Sequence, residues 1–539
     1  MEINVSISNY RCFTYDNPAK FKIQDSIIAF VGPNNAGKST VLRFLYEFRN
    51  LFGKLTHKDG FESGLIGNQA FEKPPKLDDF NDIFTKLNDR PIKIEIEITD
   101  NKVPNKVEKP GNVTDEMDVL KKMLIEIQRN SLQYKISVYE PNGRVFQPHE
   151  PRIKSEHFMY SHSQPRFEIQ PMMDVFKKLH NTIYIGPFRN LINIGTKEDY
   201  FDITIGQKFI EQWNELERGK QSDRRNASRK VIQEIKALFG FSNFNIGSSS
   251  DNQNMIVDID GHSYLLTELG SGLAHFIIVL VTCTIKSPEF ILIDEPELNL
   301  HPSIQLSFLT TLASKAKSGI LFSTHSIGLA RSGAELIYST QRKSMNSGST
   351  LKEFEATENA SEFLGEMSYS GYEDLGFEKI LLVEGTTDIK TFQQFLRKLG
   401  LDNKVVILPL GGSSLINDNR SAELKELTRI SGKIYAIVDS EREREGAAMA
   451  ENVSKFKKMC SGAGIDCCIL ERRAIENYLS ENAVQKTWGA DYRALAPYEK
   501  LAALGNKSWK KNNNWKVVRN MEIVDIENTD LHEFLLKLR

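Results

Sequence analysis

The nine residues GPNNAGKST, Gly32 to Thr40, follow the apolar run DSIIAF and precede STVLRFLYEFRNLF, whose apolar residues recur at helical spacing. Gly32, Gly37, Lys38 and Ser39 fit GxxxxGK[ST], and a strand before with a helix after is the context that gives the spacing its meaning. Glycines let backbone N–H groups curl around phosphate oxygens, and the helix N-terminus favours the anion. Lys38 can reach the β and γ phosphates, the Ser39 hydroxyl can ligate magnesium, and Asn34, Asn35 and Thr40 complete the loop.

Matching acids stand further on, in FILIDEPELNLHP. Asp294 ends an apolar strand where it can hold Mg2+ through water, and Glu295 can polarise an attacking water. Two carboxylates at a buried strand end are costly unless a cation or hydrogen bonds compensate. His325, in LFSTHS, closes the next strand and is placed to sense a γ phosphate. From 265 to 335 the pattern is helix, buried strand, helix, buried strand, helix, which predicts α/β structure with parallel strands.

Residues from about 51 to 180 differ, mixing a Gly- and Lys-rich loop with the strands IKIEIEI and YKISVYE, and read as an insertion or second lobe. A helical region from about 205 to 240 carries the basic stretch DRRNASRKVIQEIK. It suits a dimer or DNA contact, or simply a solvated helix face. Polar residues 341–375 read as a linker. Beyond them KILLVE, KVVILPL and KIYAIVD alternate with helical segments. The expected plan is a domain over 1–340, the linker, and a smaller α/β domain over 376–539 with a basic helical tail.

The second domain has its own acids. Glu384 lies at a strand end, Gly385 permits a turn, and Asp388 sits in the first helical turn. Two strands later Asp439 and Glu441 flank Ser440 at another strand end. Clustered carboxylates repel, and a divalent cation relieves that repulsion, so Glu384, Asp388, Asp439 and Glu441 are the expected metal ligands. Glu476, in ERRAIENYL, either joins them or faces solvent. The tail NKSWKKNNNWKVVRNM interleaves Lys507, Lys510, Lys511 and Lys516 with Trp509 and Trp515. Such a pattern can grip phosphates while stacking bases, or can be a solvated basic loop anchored by its tryptophans.

Composition narrows the classes. Lys plus Arg number 69 against 71 Asp plus Glu, a net charge of -2, so any nucleic-acid surface must be local. Five scattered cysteines (Cys12, Cys283, Cys460, Cys467 and Cys468) without CxxC spacing argue against a disulfide framework and a zinc site, and for a reducing cytoplasm. MEINVSISNYRCF alternates like a strand rather than a signal peptide, and HFIIVLVTCTI is too short to cross a bilayer, so no membrane domain is expected.

The phosphate loop and FILIDEP resemble those of the ABC-type ATPases, in the branch that includes SMC proteins. ELGSGLAHFIIVL resembles that class's signature loop, although it reads LGSG rather than LSGG. The resemblance implies that Ser271 and Gly272 reach ATP bound to another subunit, that Asn299 lies at the subunit interface, and that the chain forms a homodimer or larger even homo-oligomer. Glu384 and the Asp439/Glu441 pair resemble the strand-end glutamate and DxD of Toprim domains, with Glu at the second DxD position.

An ABC-type ATPase followed by a Toprim domain resembles the OLD (overcoming lysogenization defect) nuclease family over nearly the whole chain. That resemblance implies Mg2+- or Mn2+-dependent DNA cleavage regulated by ATP in antiphage defence. It also implies a companion such as a reverse transcriptase with its DNA–RNA product, or a helicase. A distal catalytic lysine is implied too, with Lys516 the first choice and Lys510 the second. Two readings of other classes stand beside it: a non-catalytic ATP-switched sensor or scaffold, and a DNA-repair ATPase. The second is weakened by the absence of a long heptad insertion.

Overall fold

Every residue of Ile27–Val31 (β1) is buried, as is every residue of Thr182–Ile185 (β2), Phe290–Asp294 (β3) and Gly319–Thr324 (β4). Strands apolar on both faces belong inside a parallel sheet covered by helices. With Leu336–Gln341 (β5) and Thr350–Glu353 (β6) they form a sheet of order β2-β3-β4-β1-β5-β6 in the computed structural model. All neighbours are parallel except β5 and β6. The described residues are 1–67, 69–74, 77–109, 112–154, 158–162, 164–187, 201–218, 222–298, 300–342, 347–354, 379–402, 404–410, 424 and 433–539. Part of the expected linker is therefore sheet, because β6 hydrogen-bonds along β5; residues 343–346 and 355–375 of it lie outside the described set.

The segment from 51 to 180 is stitched to the N-terminus. Glu2–Ser8 pairs with both Ala19–Gln24 and Ile92–Ile98, and the antiparallel sheet continues through Lys122–Ile127 and Gln133–Tyr139. IKIEIEI turns its isoleucines inward and its Lys and Glu residues outward at every step. Those isoleucines share one core with Phe44 of the helix Lys38–Glu47 (α1), and with Phe48 and Phe52 just beyond it. A second sheet of five strands, from Lys106–Lys109 to Gln164–Glu168, went unread in the sequence because its strands are short and largely polar.

Gly206–Arg218 (α2) and Ser222–Phe239 (α3) fill the expected helical region. They bury Trp213, Val231 and Ile235 against the parallel sheet and against Ser271–Lys286 (α4). α4 carries His275, 4% exposed, whose desolvation lowers its pKa to about 3. The unfolded chain then binds a proton that the folded chain refuses between about pH 6.5 and 3, so this group's contribution is full above 6.5 and lost as pH falls. His275→Phe is expected to remove about 2 kcal/mol of the stability lost between pH 6.5 and 5 in urea titrations. An unchanged pH slope would show that His275 is not held neutral.

A separate four-stranded sheet is built from Lys379–Val383 (β7), Val405–Pro409 (β8), Ile434–Val438 (β9) and Asp466–Ile469 (β10), all parallel, in the order β8-β7-β9-β10. Two helices of the first layer, Pro302–Ala313 (α5) and Ile327–Gly333 (α6), face this unit. Between them and β7 runs Thr386–Lys398 (α7), buried on nearly every side. It meets the first layer through polar pairs: Lys390 with Glu335, Gln393 Nε2 to Ser307 Oγ at 2.9 Å, and Arg397 to Thr311 Oγ1 and Ser307 O, each at 3.1 Å. Glu481–Trp488 (α8) and Asn514–Asn520 (α9) complete this side. A further helix, Asp530–Leu536, follows α9. Among the described residues no helix is long and apolar enough to cross a membrane.

Candidate functional site

The phosphate loop joins β1 to α1. Gly37 has φ 110°, and a Cβ there would meet Cys12 Sγ at 2.8 Å, so both backbone and space require glycine. Register then sets the chemistry: Asp294 lies opposite Ser323, and Thr324 opposite Val31, so the C-terminal ends of β3, β4 and β1 stand side by side. Ser39 Oγ donates to Asp294 Oδ1 at 2.9 Å, Ser323 donates to the same oxygen, and Tyr184 Oη donates to Asp294 Oδ2 at 3.2 Å. This hydroxyl and carboxylate set consists of hard oxygen donors, the kind Mg2+ takes.

Lys38, 5% exposed, donates to Gly32 O at 2.9 Å and Pro33 O at 3.1 Å, and its Nζ lies 3.1 Å from His325 Nε2. His325 in turn lies 3.2 Å from Glu295 Oε1. Glu295 has φ 53°, a left-handed conformation that non-glycine residues rarely adopt and that clusters at functional sites. Asn34, Asn35, Gly37, Lys38, Ser39, Thr40 and Glu295 line a cavity of about 980 Å3. Arg11, Arg43 and Arg342 line it too; no motif carries them, and only folding brings them there. Ser271 and Gly272 open α4 and do not line this cavity, and Asn299 lies outside the described residues.

The second cluster also follows from register. Val383 of β7 stands opposite Ile437 of β9, so Glu384 and Asp439 leave adjacent strands at the same edge. Asp439 N donates to Glu384 Oε2 at 3.3 Å. Asp388 accepts from Gly385 N at 3.1 Å through Oδ2, while its Oδ1 is buried without a partner. Burial first, then Asp439, raises Glu384 to about 7, and burial raises Asp388 as well.

Glu476 joins them from the turn Ile475–Tyr478, which follows β10. Lys511 Nζ sits among these carboxylates, 2.7 Å from Asp439 Oδ2 and 3.9 Å from Glu476 Oε2. Burial opposes its charge, but Asp439, Asp388 and Glu476 hold it firmly protonated. Among the described residues no three His, Cys, Asp or Glu side chains stand in metal-ligand geometry.

Several of the expected residues are placed away from the acid cluster. Glu441 turns away from Asp439 through a backbone φ of 54°, and its carboxylate pairs with Arg473 instead. Ser440 Oγ donates to Arg472 O at 2.8 Å, a structural bond. Neither expected lysine reaches the acids: Lys516 Nζ lies 5.8 Å from the Trp515 ring centroid, and Lys510 pairs with Glu2 at 3.0 Å. Trp509 and Trp515 are 8% and 2% exposed, so they anchor the tail in the core and present no face for base stacking.

A phosphate loop at the end of β1, with the acid-tipped strand β3 beyond the intervening β4, defines a P-loop ATPase. Residues 1–330 match the AAA ATPase domain family, and the chain belongs to that family. Membership implies nucleotide and Mg2+ binding at the site just described. Three solved structures are similar. An SMC head domain from Thermotoga maritima is 16% identical, with 66% of this chain and 100% of that one covered and a TM-score of 0.32. An SmcHead bound to the C-winged helix domain of ScpA is 11% identical, covering 65% and 97%, with a TM-score of 0.38. An Smc head domain with an extended coiled coil, bound to the C-terminal domain of ScpA derived from Pyrococcus furiosus, is 10% identical, covering 68% and 100%, with a TM-score of 0.35. No curated protein matches the chain.

Proposed function

We propose that the chain is an ATP-regulated, divalent-metal-dependent DNA endonuclease, an ABC-type head over 1–340 joined to a Toprim-type nuclease unit over 376–539. The observation that carries this reading is the convergence of Glu384, Asp388, Asp439 and Glu476 at one edge of a parallel sheet, with Asp388 Oδ1 buried and unpartnered. Buried carboxylates this close oppose one another's ionisation, and a hard cation is what relieves them. Glu384, Asp388 and Asp439 would hold Mg2+ or Mn2+, with Glu476 taking the place expected for Glu441. Such an ion supplies Lewis acidity at a phosphoryl oxygen and lowers the pKa of water.

The chain's own residues supply the rest. Lys511, the charge among these acids, is the residue placed to meet negative charge developing on a phosphodiester as water adds to phosphorus and the P–O bond to the leaving sugar breaks. α5 and α6 continue from the segments carrying Glu295 and His325, and they grip α7, whose first turn holds Asp388. This supports nucleotide control of the acid cluster. Ser271 and Gly272, away from their own cavity, are free to meet ATP held by a second copy, which supports a homodimer or larger even assembly. A cytoplasmic antiphage role with a companion reverse transcriptase or helicase rests on the family resemblance, and phage plating with Glu384→Ala cells tests it.

Lys511→Ala tests the cluster directly. Without divalent metal the variant is expected to lose about 1 to 3 kcal/mol of stability, less than a fully buried pair because Lys511 is partly open to water. Mg2+ or Mn2+ should raise its melting temperature more than that of wild type. Equal metal shifts in the two proteins would count against a cation site. The metal-ligand geometry missing around Lys511 favours one other reading, a binding-only scaffold. Plasmid and single-stranded DNA incubated with Mg2+ or Mn2+, with and without ATP, decide between them: cleavage supports the nuclease, and intact DNA under all conditions supports the scaffold.

A further inference from the structure

Asp294, at the tip of β3, is 3% exposed and meets three hydroxyl groups. Ser39 and Ser323 both donate to Oδ1, while Oδ2 receives Tyr184 Oη at 3.2 Å and no second donor among the described residues. Tyr184 lies in β2, far from either motif in the sequence, and register gives it its reach. It stands opposite Leu292, and Asp294 is two residues further along the same face of β3, about 7 Å away. A phenol spans that distance, whereas a serine or threonine at the same position would not.

The tyrosine is itself held from several sides. It is fully buried, its ring centroid lies 5.1 Å from that of Tyr46, and it meets Phe201 edge-on at 4.9 Å. Its N–H donates to Asp202 Oδ2 at 2.8 Å, an oxygen that Arg49 also holds, at 2.6 Å. From α1, Arg43, which lines the nucleotide cavity, stands against the phenol oxygen. A guanidinium only donates, so the hydroxyl proton is left for Asp294.

Three donors thus serve two carboxylate oxygens. Without the phenol, Ser39 and Ser323 would have to satisfy both, because a buried acceptor left unpaired is costly. The carboxylate would then turn about its own bond. With the phenol in place Oδ2 is pinned, and Oδ1 stays on the side of Ser39, whose hydroxyl is suited to magnesium. A phenylalanine would fill the same core, so packing does not account for the hydroxyl.

We propose that Tyr184 is a positioning residue for the magnesium of the bound nucleotide: it holds Asp294 Oδ2, so that Oδ1 and Ser39 face the ion together. It acts through Asp294. The proposal rests on the ATPase site and is independent of the nuclease reading.

Tyr184→Phe removes one oxygen from a packed ring and is the direct test. ATP affinity is measured by equilibrium dialysis with Mg2+ and with chelator, and ATP hydrolysis is followed across Mg2+ concentrations. Metal-free ATP affinity should match wild type, while the Mg2+ concentration for half-maximal hydrolysis should rise about tenfold or more. Excess Mg2+ should restore turnover, and the tightening of ATP by Mg2+ should shrink, because the two bindings are linked reciprocally. A merely structural tyrosine would change the melting curve without moving the Mg2+ dependence. In an Asp294→Asn background, with no carboxylate to hold, Tyr184→Phe should shift that dependence no further. Unchanged Mg2+ dependence by both measures overturns the proposal, as does an equal shift in the two backgrounds. If Tyr184→Phe fails to fold, the same comparison is made with Tyr184→Met.

Discussion

Glu384→Gln is expected to lower metal-dependent DNA cleavage by about a thousandfold or more, with ATP affinity unchanged. The glutamine keeps the shape of the side chain and its acceptance of the Asp439 N–H, but it cannot carry the charge that holds a divalent ion. Loss of activity cannot then be blamed on unfolding, because the substitution works in stability's favour. Burial and Asp439 raise Glu384 to about 7, so without metal the folded chain binds a proton that the unfolded chain has released above about pH 4.5. Stability from this group is present below pH 4.5 and is lost as pH rises to about 7. A neutral residue removes that loss, and at pH 8 in chelator the variant should melt no lower than wild type. Undiminished cleavage would remove Glu384 from the reaction, and the nuclease assignment with it.

Lys38→Ala should weaken ATP binding by about a hundredfold or more, the loss of one buried charge-assisted contact to phosphate. Lys38 Nζ is held by Gly32 O and Pro33 O beside His325, so its ammonium is already aimed along the loop that receives the anion. Any effect of ATP on DNA cleavage should vanish in this variant, while cleavage without ATP persists. Glu295→Gln separates binding from turnover: ATP stays bound, hydrolysis slows, and the level of cutting shows whether the bound state activates or restrains the nuclease. Equilibrium dialysis for affinity and phosphate release for turnover make the distinction. ATP affinity unchanged in Lys38→Ala would overturn the first site.

Much of the molecule was legible because its signals are local. A strand, a glycine loop and a helix within Ile27–Glu47 need no distant partner to be read, and the apolar runs FILI and ILLV lie in buried parallel strands. The strand-end positions of Asp294, Glu384 and Asp439 were legible for the same reason, since each stands at or just past the C-terminal end of such a run. The direction of Glu441 was not legible, because two acids of similar spacing look alike in sequence. A positive φ, set by the turn toward Arg473, sends one of them elsewhere.

What only the tertiary structure decided are contacts across long separations. Lys511 reaches Asp439 from 72 residues away, and nothing in a run of lysines says which will meet the acids. Its neighbours Lys510 and Lys516 end at Glu2 and over Trp515, because a tightly wound 3-10 turn followed by α9 points successive side chains to different walls. The sequence by itself determined the strand-end positions of the two acid groups and the phosphate loop, where backbone geometry and residue type are fixed within a few positions. Folding determined the counter-charge at the second cluster and the grip of α5 on α7, since each depends on surfaces that meet only when the sheets pack.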